Sequence, residues 1–327
     1  MNAAYTEFIS LLKKKALNDA IDLAERESLA AGERSEFWLT QLSIALREGG
    51  RIDEALEAAD RACLLAPRNG WALVARGDAL MRKGDERAAL AGYNEALVDA
   101  RAAPRAKKAI LACLSGAGTW ERVISFLDQA DLPAADTFPW WVKALMGLGR
   151  NDEALAVCDR WLAEFPETPA ALWKKAELQV MAEGIDPVRK RFSRLARIPG
   201  KPPVYAEISA WLSKRSGNSE EAAQQYEQLS RQSAGNPSIL RKQAFALAKS
   251  RHDDRAVPLM EELLRMSPDD MYLHAAYVPA CTRLGELERA WKFYHELLVL
   301  HPGERGLYGR LKRVGKAMEK VTLEPPR

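Results

Sequence analysis

Three groups of residues in this chain could do chemistry. Four histidines (His252, His274, His295, His301) and four cysteines (Cys63, Cys113, Cys158, Cys281) could ligate a metal, or supply a base and a nucleophile. Adjacent acids at Asp53-Glu54, Asp152-Glu153 and Glu220-Glu221 would suit acid–base work if each pair shared a pocket. Between Arg189 and Arg215 stand eight bases (Arg189, Lys190, Arg191, Arg194, Arg197, Lys201, Lys214, Arg215) and one acid, Glu207, a bias that would suit a polyanion.

Spacing argues against catalysis. The cysteines are far apart, with no C-x-x-C, and His295-Glu296 lacks the second histidine of H-E-x-x-H. No G-x-x-x-x-G-K-[ST], G-x-G-x-x-G or G-x-S-x-G occurs. His252 falls in a predicted turn and His301 at a helix end, while His274 and His295 fall on different helices. The expectation is solvated or helix-capping histidines, buried thiols, no metal, no cofactor and no catalytic residue. The acid pairs recur at one position of a repeating unit, where helix-dipole stabilisation explains them.

That unit is set by Ala20, Ala55, Ala89, Val123, Ala154, Val188, Ala222, Ala256 and Ala290, at steps of 35, 34, 34, 31, 34, 34, 34 and 34 residues. A stride of this size means one supersecondary unit stacked repeatedly. In residues 36–69, Leu39, Leu42, Ser43 and Leu46 lie on one helical face. Gly49-Gly50 ends that helix, Asp53-Glu54 opens a second, Ala55, Ala59 and Ala62 line it, and Pro67 stops it. Small residues at the stride position let two antiparallel helices approach closely. Pro139 suggests that the first helix of the fifth unit begins there, and Glu183 stands where the sixth unit should have its turn glycine. The single short step predicts a break between Val123 and Ala154.

With Gly at position 15 (Gly50, Gly84, Gly118, Gly149, Gly217, Gly285), an aromatic at position 24 (Tyr93, Phe192, Tyr226, Tyr294) and Pro at position 32 (Pro67, Pro166, Pro268, Pro302), the chain resembles the tetratricopeptide-repeat family. The resemblance implies an all-α, right-handed superhelical solenoid of about nine helix pairs. It would be a single domain over 1–320, with an atypical pair at 1–34, repeats over 36–302, a capping helix over 304–320 and a flexible tail at 321–327.

The resemblance also implies a non-catalytic scaffold that holds a peptide or protein subunit in a concave groove lined by the first helices. Carrying the family's lining positions over yields Phe37, Arg47, Trp71, Val74, Met81, Lys143, Trp173, Trp211, Arg241, Phe245 and Tyr272. Trp141 and Trp161 fall on packing positions. The mixture of aromatics and bases suits a partner that is acidic or carries apolar anchors. The family's Lys/Asn carboxylate clamp is absent, which disfavours a chaperone-tail adaptor. The alternative is a polyanion or RNA binder using Arg189, Lys190, Arg191, Arg194, Arg197 and Lys201. Its weakness is a net charge of only +3. Many bacterial members are subunits of larger assemblies, a further expectation here. Scattered thiols, no apolar leader core in residues 1–32 and no run near the ~18 apolar residues of a span point to a soluble, cytoplasmic protein.

Overall fold

The structure, a computed structural model, describes residues 3–32, 35–233 and 235–323. Of the expected terminal segments, residues 1–2, 33–34 and 324–327 lie outside the described residues. The described residues form helices and turns without strands. The chain divides into two compact units, Met1–Trp161 and Leu162–Arg327.

The first unit holds α1 (Ala3–Lys13), α2 (Leu17–Ala31), α3 (Glu36–Glu48), α4 (Ile52–Leu65), α5 (Gly70–Lys83), α6 (Glu86–Ala96), α7 (Ala103–Gly116), α8 (Trp120–Gln129), α9 (Ala134–Gly147) and most of α10 (Asn151–Glu164). The second holds α11 (Pro169–Glu183), α12 (Ile185–Ala196), α13 (Pro203–Arg215), α14 (Ser219–Gln232), α15 (Pro237–Lys249), α16 (Asp253–Met266), α17 (Met271–Leu284), α18 (Leu287–Leu300) and α19 (Arg305–Leu323). In eight pairs the first helix packs along its own second helix, and α9 meets α10 through the Phe138–Trp161 stack. First helices also touch the first helix of the next pair: α3 on α5 and α5 on α7 in the first unit, α11 on α13 and α15 on α17 in the second.

All nine stride residues, from Ala20 to Ala290, are fully buried at 0% exposure. The aromatics Tyr93, Phe192, Tyr226 and Tyr294 are buried beside them. Opposite Tyr93 a small residue is a steric necessity. A Cβ on Gly77 would sit 2.5 Å from Cε1 of Tyr93. Trp161 is buried and stacks on Phe138, 5.9 Å between centroids. Trp141 is only half-buried, at the edge of the core.

One turn recurs between paired helices. Gly50, Gly84, Gly118, Gly149, Gly217 and Gly285 have φ of 68–92°, the left-handed region. In the two pairs without that glycine, Lys15 (φ 57°) and Arg251 (φ 67°) take the same conformation. In all eight turns the following residue's N–H donates to the carbonyl five residues back, at 2.8–3.0 Å, closing the helix end in a Schellman motif. The sixth pair departs. Its turn shrinks to one residue, Gly184 (φ 85°), so the glycine expected at Glu183 is displaced by one position.

Two expectations are corrected here. The helix α9 begins at Ala134, not at Pro139, which lies inside it. Its first turn forms because Pro133 accepts from the amides of Asp136 and Thr137. A mid-helix proline then forfeits one backbone bond without ending the helix. His274 is neither solvated nor a cap. It is 2% exposed, with Nε2 2.9 Å from the Pro268 carbonyl and Nδ1 3.1 Å from the Tyr294 hydroxyl. Near the short step, α8 has ten residues and α8 still packs on α9. The division between units falls later, inside α10.

The paired acids open α4, α10 and α14, in contact with bases rather than with each other. Asp53 accepts from Lys83 at 2.8 Å, Glu54 pairs with Arg51, Glu153 with Arg150, and Glu221 with Arg189 at 3.1 Å. Cys113, Cys158 and Cys281 are buried and Cys63 is half-buried; burial pushes the Cys63 and Cys281 thiols up to about 11. A thiol raised this far is a poor nucleophile at neutral pH.

Candidate partner-binding faces

In the first unit, the first helices α3, α5 and α7, with α1 beside them, enclose a cleft of about 660 Å³. Phe37 and Trp71 stand at equivalent repeat positions on α3 and α5 and open onto it, 44% and 46% exposed. Each ring is held by its neighbours. Tyr5 of α1 meets Phe37 edge to face at 5.4 Å, and Phe37 meets buried Trp38 at 5.3 Å. Trp71 sits in the first turn of α5, where Asn69 Oδ1 accepts from its amide at 3.1 Å. Val74 is buried at the floor of the cleft.

The polar centre of the cleft is Asp78, whose side chain is 15% exposed. Its carboxylate accepts from Arg47 Nη1 at 2.5 Å, Arg105 Nη2 at 2.9 Å and the Tyr93 hydroxyl at 2.8 Å. Burial works against the charge of Arg47, but Asp78 and Glu48 overcome it and hold the guanidinium above its ordinary value. Burial, and then Asp78, raises the Tyr93 phenol, so it remains a donor. The cleft therefore presents two half-exposed rings beside a braced arginine. Arg101 and Arg105 at its rim add positive charge. These two arginines and Tyr5 were missed by sequence reasoning. Arg105 had a legible signal, because it occupies the repeat position of Phe37 and Trp71. Tyr5 belongs to the atypical first pair and had none.

Of the remaining first-unit candidates, Met81 is half-buried against the core and does not line this cleft. Lys143 of α9 is exposed, with Nζ 5.5 Å from the Trp140 ring centre and 5.9 Å from that of Trp120.

In the second unit, the other five candidates form one row across α11, α13, α15 and α17. Trp173 and Trp211 pack edge to face at 5.4 Å. Arg241 lies over the Phe245 ring at 5.1 Å and the Tyr272 ring at 5.8 Å. Lys242 lies over Trp173 at 5.7 Å, Arg215 over Trp211 at 5.3 Å and Lys214 over Phe245 at 5.7 Å. Two carboxylates serve this row. Glu207 takes Lys242 at 2.9 Å, and Asp270 takes Arg241 at 2.8 Å while also capping α17. Burial opposes ionisation of Asp270, but Arg241 and the Leu273 and Tyr272 amides hold its carboxyl below the usual range.

The basic segment of the alternative reading does not form one free patch. Arg189 bonds Glu221 at 3.1 Å, Arg191 grips Glu183 at 2.8 and 2.9 Å, and Lys201 reaches Glu167 at 2.5 Å. Lys190, Arg194 and Arg197 are exposed. Among the described residues, no group of three or more histidine, cysteine, aspartate or glutamate side chains is placed to hold a metal ion, and no helix is long and apolar enough to cross a membrane.

Residues 40–107, which include most of the cleft, match the family model described as Tetratricopeptide repeat. None of the curated proteins matches the chain. Among solved structures, it is similar to Naa15/Naa10 bound to HypK-THB, at 13% identity and a TM-score of 0.36; the match covers 97% of this chain but only 46% of that one. A tetratricopeptide repeat protein from Parabacteroides merdae is 16% identical, with a TM-score of 0.35, over 96% of this chain and 99% of the other. The C-terminal part of a repeat-containing protein from Cytophaga hutchinsonii is 13% identical, with a TM-score of 0.47, over 83% and 98%. Residues 40–107 thus carry the tetratricopeptide-repeat match, and the same paired-helix turn recurs in both units.

Proposed function

We propose that this protein is a non-catalytic interaction scaffold that holds a peptide or protein subunit against the first helices of its repeats. One observation carries the reading: Phe37 and Trp71, both about half exposed, open onto a single cleft beside Arg47. Large rings left in water at the centre of a cleft, next to an immobilised arginine, have the composition of interface anchors. Tetratricopeptide repeats generally serve protein–protein contacts, which agrees with this use. The polyanion alternative is weakened because Arg189, Arg191 and Lys201 already neutralise acids of their own unit.

The test is affinity capture of partners by the full chain, with mass-spectrometric identification, repeated with Trp71→Ala and Phe37→Ala. Both side chains are exposed enough to remove without unfolding α3 or α5. The expected result is loss of a specific partner at unchanged helicity. Unaltered capture by both folded variants would remove the cleft as the binding site.

A further inference from the structure

The row of rings in the second unit carries an inference about what it binds. Each ring in it has a cation over a face, and Phe245 has two, Lys214 and Arg241. The acids do not balance these bases. Glu207 and Asp270 are spent on Lys242 and Arg241. Lys214, Arg215 and Lys249 make no ion pair among the described residues. Lys214 is half-buried, and burial, then Lys249 and Arg241, lowers its readiness to stay charged. A half-buried lysine facing like charges, with no carboxylate beside it, is a centre that an incoming anion would stabilise.

We infer that this face docks an extended acidic polypeptide segment through its side-chain carboxylates, which meet the cations held over the Trp211 and Phe245 rings. The inference rests on the reading of the chain as a partner-binding scaffold and deepens it in the second unit. Two features select this occupant. A single nucleic-acid strand would need open ring faces for its bases to stack on. Here those faces are already covered by lysine and arginine. A terminal carboxylate would need the bases focused at one point, whereas these are spread over α13 and α15. Packed helices lie about 8–10 Å apart, so the row from α11 to α17 spans about 27 Å. An extended segment of about eight residues, at about 3.3 Å each, covers that distance.

The probe is an octapeptide alternating glutamate with leucine, acetylated and amidated so that only side-chain charge remains. Its binding to the full chain is measured by fluorescence anisotropy, against the same peptide with glutamine for glutamate and against an oligothymidylate. The expected result is binding that weakens with salt and is at least about tenfold weaker for the glutamine peptide. Lys214→Gln should weaken it about tenfold at an unchanged melting profile, and Phe245→Leu should act in the same direction. Lys316→Gln, which removes the same charge from α19, should leave it unchanged. The assignment is overturned by no binding, by equal binding of the two peptides, by a folded Lys214→Gln that binds like wild type, or by tighter binding of the oligothymidylate. Partner capture through the first-unit cleft is read in a separate assay, so failure here and failure there are distinguishable.

Discussion

Replacing Asp78 by alanine tests whether the floor of the cleft is built by one carboxylate. The side chain is 15% exposed and its partner Arg47 17%, so solvent screening is modest. Tyr93 is 2% exposed, so without Asp78 its hydroxyl would lose its acceptor in a dry site. A bond from such a hydroxyl to an ionised acceptor contributes about 1.5–3 kcal/mol. Leaving Arg47 without its carboxylate adds about 1–2 kcal/mol, while the half-exposed Arg105 pair adds about 0–1 kcal/mol. The expected loss is therefore about 2.5–6 kcal/mol, confined to α5, α6 and their neighbours. Repeat arrays open locally, so a global melting curve would blur the effect. Hydrogen exchange read peptide by peptide is the suitable assay. Protection in 70–96 should fall by about fiftyfold or more, at about 1.4 kcal/mol per tenfold, with α13 and α14 unchanged. Combined with Tyr93→Phe, the losses should be less than additive. A fall of less than about tenfold, or strict additivity, would refute the view that Asp78 braces both the arginine and the tyrosine.

Three further outcomes are expected. Gly147→Ala places a Cβ 2.4 Å from Trp120 Cε2, so hydrogen exchange in α8 and α9 should show a loss of about 1–3 kcal/mol with a shift in tryptophan emission. Lys15→Gly and Arg251→Gly relieve exposed left-handed residues; hydrogen exchange in the flanking helices should show each gaining about 0.5–1 kcal/mol, less than the full left-handed penalty because glycine also loosens the unfolded chain. Burial lowers the His274 pKa below its ordinary 6.5; the bond to the Pro268 carbonyl opposes this most, Arg310 adds to it, and Asp270 and Asp269 oppose it further. The unfolded state then binds the proton more readily. The stability contribution is present above about 6.5 and is lost as pH falls through the lower folded value. Exchange in α17 and α18 should accelerate on acidification, and His274→Gln should flatten that dependence.

Much of the fold was legible because stacking repeats one packing problem. Ala20 through Ala290 mark the point in each pair where two helices cross, and a crossing tolerates only small side chains wherever it recurs. The turn glycines were legible for a related reason, since a left-handed residue is needed at the same place in each pair. The exceptions were hidden because backbone geometry can be met by a less suitable residue. Lys15 and Arg251 accept the strain, and Gly184 meets the need one position late. His274 was misplaced because a polar residue can be buried once a carbonyl and a hydroxyl satisfy its ring. Those partners, Pro268 and Tyr294, lie 6 and 20 residues away.

The sequence by itself determined the repeat, its phase, and which aromatic residues occupy first-helix positions. It could not decide which of these gather at one place. That depended on side chains reaching across helices: Arg105 meeting Asp78 from 27 residues away, and Lys242 crossing to Glu207 from 35. Periodicity reports which face of a helix a residue occupies. Whether a base on that face is neutralised or left for a partner is settled only by the neighbouring helix, and so only by the tertiary structure.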